Sequence, residues 1–308
     1  MEDIFDDFDI KMSETLKRIE RQRLNERKDY SSIASELLVE GIDFDESTLK
    51  VRYNPSHENY VNTSVDGNPT CKKMQVKIDN DTNILVNVYS IFQRNTISKY
   101  DGDGNPLVYA MKREMGWAFA TEKDRINVER QVDLIMNKFS KMYQGDVTVC
   151  APSTNGLNLY IMDKLQKAMP NITLYDGFFT KMSIEEIWEN ILLPDSHFRK
   201  CFKKDGELKW AFGLMKMYLK DMAEKKGGMY VRHMVTDARI RKAVTVTLKL
   251  NNNYISEYAD AMDGKNILIV DDTFTHGSTI REMVRCMCTT FSIKSVSTLT
   301  LFSPLKKK

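Results

Sequence analysis

After residue 145 the chain alternates two hydrophobic rhythms, short apolar runs and longer stretches with a helical repeat. "DVTVC" is the first run and reads as a strand. After the polar loop "APSTNGLN", Leu157, Ile161, Leu165 and Ala168 recur at helical spacing over 157–169, until Pro170 stops the helix. "NITLY" is the next strand. Ser183 and Glu186 have the spacing of a capping box ahead of a helix carrying Ile184, Ile187, Trp188 and Ile191, which Pro194 ends. A long basic connection with a helix near 208–222 follows. "AVTVTLKL" then alternates, placing Val244, Val246, Leu248 and Leu250 on one face. "NILIV", a helix with Ile280, Met283, Val284 and Met287 on one side, and "SVSTLTLF" complete the series. Strands alternating with helices predict an α/β fold with a doubly wound, mostly parallel sheet.

The first half is less regular. Residues 12–40 read as a heavily charged helix with a thin stripe of Leu16, Ile19 and Leu24. "MQVKI" and "NILVNVYSIF" read as strands, with "VDGNPT" and "KYDGDGNP" as turns. "PLVYAMKREMGWAFA" reads as one helix, with Lys112 and Trp117 on its face. Thr121 and Asp124 have capping spacing before a helix with Val128, Val132, Ile135 and Phe139. The chain is therefore expected to divide near residue 145. The expected parts are a charged helical segment (1–45), an α+β hood region (46–145) and a core domain (146–308). No Pro/Gly/Ser-rich linker separates the last two, so the hood is expected to pack on the carboxyl edge of the core sheet.

Composition adds mainly exclusions. The chain has 308 residues, 42% hydrophobic and 29% charged, with a net charge of +2. That balance points to neither a nucleic-acid binder nor a membrane-surface protein. No apolar run approaches the ~20 residues of a bilayer span. "MEDIFDDFDI" lacks a signal peptide's basic start and apolar centre, so a cytoplasmic location is expected. The five cysteines are scattered without a C-x-x-C pair. They read as reduced, structural residues and not as a zinc site.

The candidate chemistry sits in "KNILIVDDTFTHGSTIREMV" (265–284), where a buried strand runs into Asp271 and Asp272 and then into a loop of hydroxyls. In an open α/β sheet, ligands bind outside the carboxyl ends of the strands. Residues 151–156 and 271–278 both lie there, and each leads into a helix, whose start attracts anions. Gly, Ser and Thr allow backbone approach to a phosphate and add hydroxyl donors. The two acids repel a phosphate and need donors or a metal. A sugar diol is a donor pair, and Mg²⁺ prefers oxygen ligands. The loop therefore fits a sugar phosphate, with acids on ribose hydroxyls and the cradle on the 5′-phosphate.

"ILIVDDTFTHGST" resembles the motif by which type I phosphoribosyltransferases bind 5-phosphoribosyl 1-pyrophosphate (PRPP). Its positions are filled by Asp271, Asp272, Thr275, Gly277 and Thr279, with His276 at a variable place. "VCAPSTNGLN" is similar to the family's pyrophosphate loop. The order of "NPLVYAMK", "APSTNGLN", "DARIRKAV" and the PRPP loop is similar to the competence-protein F branch, whose zinc-binding cysteines are absent here. The resemblance covers about residues 145–303. It implies that Asp271 and Asp272 hold the ribose hydroxyls, one through Mg²⁺ as cofactor. It assigns the 5′-phosphate to Thr273, Phe274, Thr275, His276, Gly277, Ser278 and Thr279. Pyrophosphate falls to Ser153, Thr154, Asn155 and Gly156, joined by cations such as Lys181, Arg239 and Arg241 from a mobile closing loop at roughly 177–242. The implied chemistry is displacement at the anomeric carbon of PRPP by a nucleobase or small amine.

Plainer accounts stand beside these. The acids are also compatible with a helix-capping pair or a response-regulator-like pocket. "APSTNGLN" is also compatible with an ordinary capped turn, and Arg232, His233 and their neighbours with a solvated face. The N-terminal helix reads as a solvated face or a contact with a partner or with a second copy in a homodimer. Three functions remain open on the sequence: a PRPP-using transferase, a non-catalytic PRPP- or nucleotide-binding regulator, and a nucleotide phosphorylase or hydrolase.

Overall fold

The computed structural model describes residues 38–42, 48–53, 57–62, 69–78, 82–94, 106–112, 117–153, 156–226, 234–251, 255–275 and 277–304. The helix expected over 12–40 lies almost wholly outside them, as do Thr154, Asn155, Arg232, His233 and His276. In chain order the elements are β1 (Leu38–Val39), β2 (Thr48–Tyr53), β3 (His57–Asn62), β4 (Thr70–Lys77), β5 (Asn83–Arg94), α1 (Pro106–Lys112), β6 (Ala118–Phe119), α2 (Glu122–Met142), β7 (Val147–Cys150) and α3 (Leu157–Ala168). Then come β8 (Thr173–Tyr175), β9 (Phe179–Lys181), α4 (Ile184–Leu192), α5 (His197–Cys201), α6 (Asp205–Lys226), α7 (Ala238–Ala243), β10 (Leu248–Leu250), α8 (Ile255–Met262), β11 (Asn266–Thr273), α9 (Ser278–Thr290) and β12 (Ser295–Pro304).

The described chain forms two compact units. One runs from Leu38 to Phe179 and resumes from Leu250 to Pro304; the other is Thr180–Lys249. The first is an α/β unit around a mostly parallel sheet in the order β2-β3-β5-β12-β11-β7-β8, with β4 also paired to β5. β5, β12, β11, β7 and β8 are parallel neighbours, whereas β2, β3 and β4 run antiparallel to theirs.

Strand alternation sorts β11 by face. Leu268 and Val270 join the core cluster formed with Leu107 and Val108 of α1, Val132 and Phe139 of α2, and Ile161 and Leu165 of α3. Ile267 and Ile269, fully buried, point to the opposite face. The crossovers agree. From β7 the chain passes through α3 to β8 on one side, and from β11 through α9 to β12 on the other. Right-handed connections running in opposite directions put α3 and α9 on opposite faces. α9 lies against β4, with Ile280, Met283, Val284 and Met287 buried as its period predicts.

Three expectations change. The division near residue 145 is not a structural boundary. β5, from the first half, pairs along β12 inside the sheet, burying Val86, Val88, Ile91 and Phe92. A long strand such as β12 needs a partner on each edge, and β5 supplies one, so residues 46–145 build the sheet itself. Second, the stretch expected to be a mobile loop over 177–242 is largely helical. Phe198, Phe202, Leu214, Met215, Tyr218, Met222 and Ile240 form a core of its own. Third, "PLVYAMKREMGWAFA" is not one helix. α1 ends at Lys112, and Ala118 and Phe119 form β6, paired with β1. Likewise "AVTVTLKL" yields a strand only at Leu248–Leu250, and Val246 is exposed.

The caps show where local sequence sufficed. Ser183 and Glu186 make the reciprocal capping box. Thr121 accepts from Asp124 N–H at 3.1 Å. The Asp124 carboxylate, however, accepts the distant Ile42 N–H at 2.9 Å, which ties the 38–42 segment to α2.

Candidate functional site

β7 and β11 are adjacent and parallel, with Val270 opposite Cys150. Their connections leave in opposite directions, so the gap between their carboxyl ends is a topological switch point, where α/β sheets bind ligands. The two loops singled out from sequence both begin there. They are held together by Ala151 N–H donating to the Val270 carbonyl at 2.8 Å.

Each loop ends in a glycine that starts a helix. Gly156 caps α3 at φ 72°, and Gly277 caps α9 at φ 69°. These are left-handed conformations that glycine adopts without strain. Neither cap offers a side chain to the first helical turn, so both starts face the crevice as bare backbone. At Gly277 the need is also spatial. A Cβ there would lie 2.6 Å from Phe274 Cε2 and 2.8 Å from Met74 Sδ. Phe274 is itself fixed by its N–H, which donates to the Phe302 carbonyl at 2.8 Å.

The acids close β11. Alternation turns Asp272 to the face of Val270, where α1 lies. There Lys112 Nζ stands 2.9 Å from Asp272 Oδ2, with the two side chains 16% and 15% exposed. Asp271 turns the other way and accepts the Asp272 N–H at 3.0 Å. Its carboxyl is pushed well above the ordinary carboxylate range, first by burial and then by the neighbouring Asp272 charge. The Asp272 N–H, Lys112 and the Asn158 amide oppose that rise. Asn158, in the first turn of α3, donates to the Ala151 carbonyl at 2.7 Å and is buried. Its Oδ1, and Thr273 Oγ1, are enclosed without a hydrogen-bond partner in the structure. Such atoms are costly unless a ligand or water meets them.

Beside the acids lies a cavity of about 260 Å³, lined by Cys150, Ser153, Gly156, Asn158, Asp176 and Phe179 among others. Cys150 Sγ donates to Asp176 Oδ1 at 3.5 Å. Burial, followed by the Asp176 charge, pushes this thiol up to about 12, so it is no nucleophile at neutral pH.

The sequence-based candidates thus separate. Asp271, Asp272, Thr273, Phe274, Thr275, Gly277, Ser278 and Thr279 share the β11–α9 turn, with Ser153 and Gly156 at the β7–α3 turn. Lys181, Arg239 and Arg241 belong to the other unit. There Arg239 lies over the Trp210 ring at 4.3 Å and 3.6 Å from Asp237. Sequence reasoning missed Lys112, Asn158 and Asp176. Lys112 closes the helix as its sequence suggests, but Trp117 lies outside it, packed against the core cluster.

The acid pair does not fit as a seat for the magnesium ion that the resemblance implies. One Asp272 oxygen already holds a lysine ammonium, and Asp271, half-buried, accepts the Asp272 N–H on one oxygen and is reluctant to ionise. Mg²⁺ demands several open oxygens in octahedral array. Among the described residues, no group of three or more His, Cys, Asp or Glu side chains could hold a metal. Also among them, no helix is long and apolar enough to cross a membrane.

No family model, curated protein or solved structure matches the chain.

Proposed function

We propose that the switch-point crevice binds a 5-phosphorylated ribose. On this reading the chain is a phosphoribosyltransferase that moves ribose 5-phosphate from PRPP to a nucleobase or small amine. The observation that carries it is the pairing, at one crevice, of enclosed acids with a glycine-started helix too crowded for a Cβ. The acids suit hydroxyl donors. The helix start suits a phosphate, which its dipole and backbone N–H groups attract. The unpartnered Asn158 Oδ1 and Thr273 Oγ1 add support, because a polyhydroxylated ligand would satisfy them.

In the reaction, the acceptor nitrogen attacks the anomeric carbon as the bond to the pyrophosphate oxygen breaks. Pyrophosphate leaves with the electron pair, and the acceptor's proton passes to solvent. Positive charge grows on the ring, close to the two acids, where a fixed carboxylate stabilises it. The β7–α3 turn, with Ser153 and Gly156 and the neighbouring Thr154 and Asn155, is assigned the pyrophosphate. Magnesium is expected to enter with that pyrophosphate, whose charge it shields, and not on the acids.

Calorimetry with PRPP should show binding to the native chain and at least tenfold weaker binding to the Asp271→Asn, Asp272→Asn double variant. Incubation with PRPP and a panel of bases should release pyrophosphate. Equal binding by the double variant would refute the role of the acids. Tight binding without release for any acceptor would favour a regulatory protein on the same crevice.

A further inference from the structure

The acid pair carries its own counter-ion, and that ion comes from the half of the chain where no chemistry was legible. Lys112 is the last residue of α1. The helix is held by Leu107, Val108 and Ala110, all buried in the core cluster. Its position is thus set by packing, and the ammonium is delivered to Asp272 Oδ2 at 2.9 Å with little surface left to either group. An exposed pair of this kind contributes little, but an enclosed one has a fixed geometry and little screening. The alternation of β11 accounts for the choice of partner. Asp272 faces α1, and Asp271 does not.

Two adjacent carboxylates would repel a phosphorylated sugar as well as each other. Lys112 cancels one charge and fixes the Asp272 carboxylate. A lysine ammonium has three donors and no acceptor. A carboxylate has about four acceptor sites on its two oxygens, so Asp272 can hold the ammonium and still accept from a sugar hydroxyl. Resting on the reading above, we propose that Lys112 is a positioning residue for the ribose. In this role it replaces a divalent cation at the acids, so the sugar phosphate binds there without metal.

The test uses ribose 5-phosphate, which lacks the pyrophosphate that would bring its own magnesium. The full-length protein is titrated calorimetrically in EDTA and again in millimolar Mg²⁺. The native chain should bind equally, within about twofold, in both buffers. Lys112→Met should lose at least tenfold in EDTA and recover part of that loss in Mg²⁺, which then supplies the missing charge. Lys112→Arg should stay within a few-fold of native. A merely structural role for Lys112 would not make the loss depend on Mg²⁺. Binding by the native chain only in Mg²⁺, or unchanged binding by Lys112→Met in EDTA, overturns the proposal. The first of these needs no variant and so does not depend on how the variants fold. Failure of the native chain to bind ribose 5-phosphate in either buffer overturns the functional reading itself, which separates the two failures.

Discussion

Gly277 and Gly156 offer a matched pair of perturbations. Both start a helix in the left-handed region, at φ 69° and 72°. Replacing either with alanine costs about 1–2 kcal/mol in backbone strain. Their surroundings differ. A Cβ at Gly156 meets nothing within 4 Å, whereas at Gly277 it falls 2.6 Å from Phe274 and 2.8 Å from Met74. Contacts that short force side chains to move, and Met74 is buried in β4 with little room. Forcing an extra carbon into packed surroundings costs about 1–3 kcal/mol. Gly277→Ala should therefore destabilise the unit by about 2–5 kcal/mol, summing strain and overpacking, against about 1–2 for Gly156→Ala. Urea unfolding followed by circular dichroism, with equal slopes for both variants, reads the difference directly. Equal losses would mean that the cradle is not braced on β4. Phe274 and Met74 would then have no part in fixing the turn.

Two further outcomes are expected. Asp271 has its folded pKa raised above the ordinary 3.8, so the native chain loses stability as pH rises from that value through the raised one. Asp271→Asn lacks that loss, and its melting temperature relative to native should increase between about pH 4 and about pH 8 and level off above that. A pH-independent difference would show that the carboxyl is not held neutral by burial. In the helical unit, Tyr218 Oη lies 2.7 Å from Thr236 Oγ1 and accepts the Asp237 N–H at 3.1 Å, anchoring the start of α7. Tyr218→Phe strands that N–H and should cost about 1–3 kcal/mol. The loss is readable by fluorescence, since Trp188 and Trp210 both lie in this unit, and a change under half a kcal/mol would refute the anchor.

What the sequence disclosed follows the range of the forces involved. β11, its hydroxyl loop and α9 were legible because each rests on neighbours a few residues apart: an apolar run, a glycine, a 3.6-residue stripe. The Ser183–Glu186 box was legible for the same reason. Asp124 marks the limit. Its spacing from Thr121 announced a cap, but nothing local announced that its carboxylate would serve Ile42, 82 residues away. β5 was readable as a strand yet not as the partner of β12, since pairing depends on edges that only the folded sheet creates. Lys112 was hidden most completely. Its helix ends in a residue that looks like any solvated lysine, and only the packing of Leu107 and Val108 aims it at an acid 160 positions further on.

That arrangement makes the two acids unlike each other, although they are neighbours in sequence. A strand has a period of two, so the pair cannot share one environment. One acid is turned to α1 and its lysine, and the other to burial and a backbone N–H. The Asp272 carboxylate is fixed by its ion pair, and the Asp271 carboxyl is made reluctant to ionise by burial and the neighbouring charge. A ribose presents two hydroxyls of similar acidity, each able to donate or to accept. A fixed carboxylate takes a donated proton, and a carboxyl held neutral can return one. Toward the ribose proposed above, the doublet thus offers two distinct hydrogen-bonding roles, and a register slip of one residue in β11 would exchange them. Paired with β7 on one side and β12 on the other, β11 is locked against that slip, and the same pairing brings the β5 half of the chain, with α1 and Lys112, into the site.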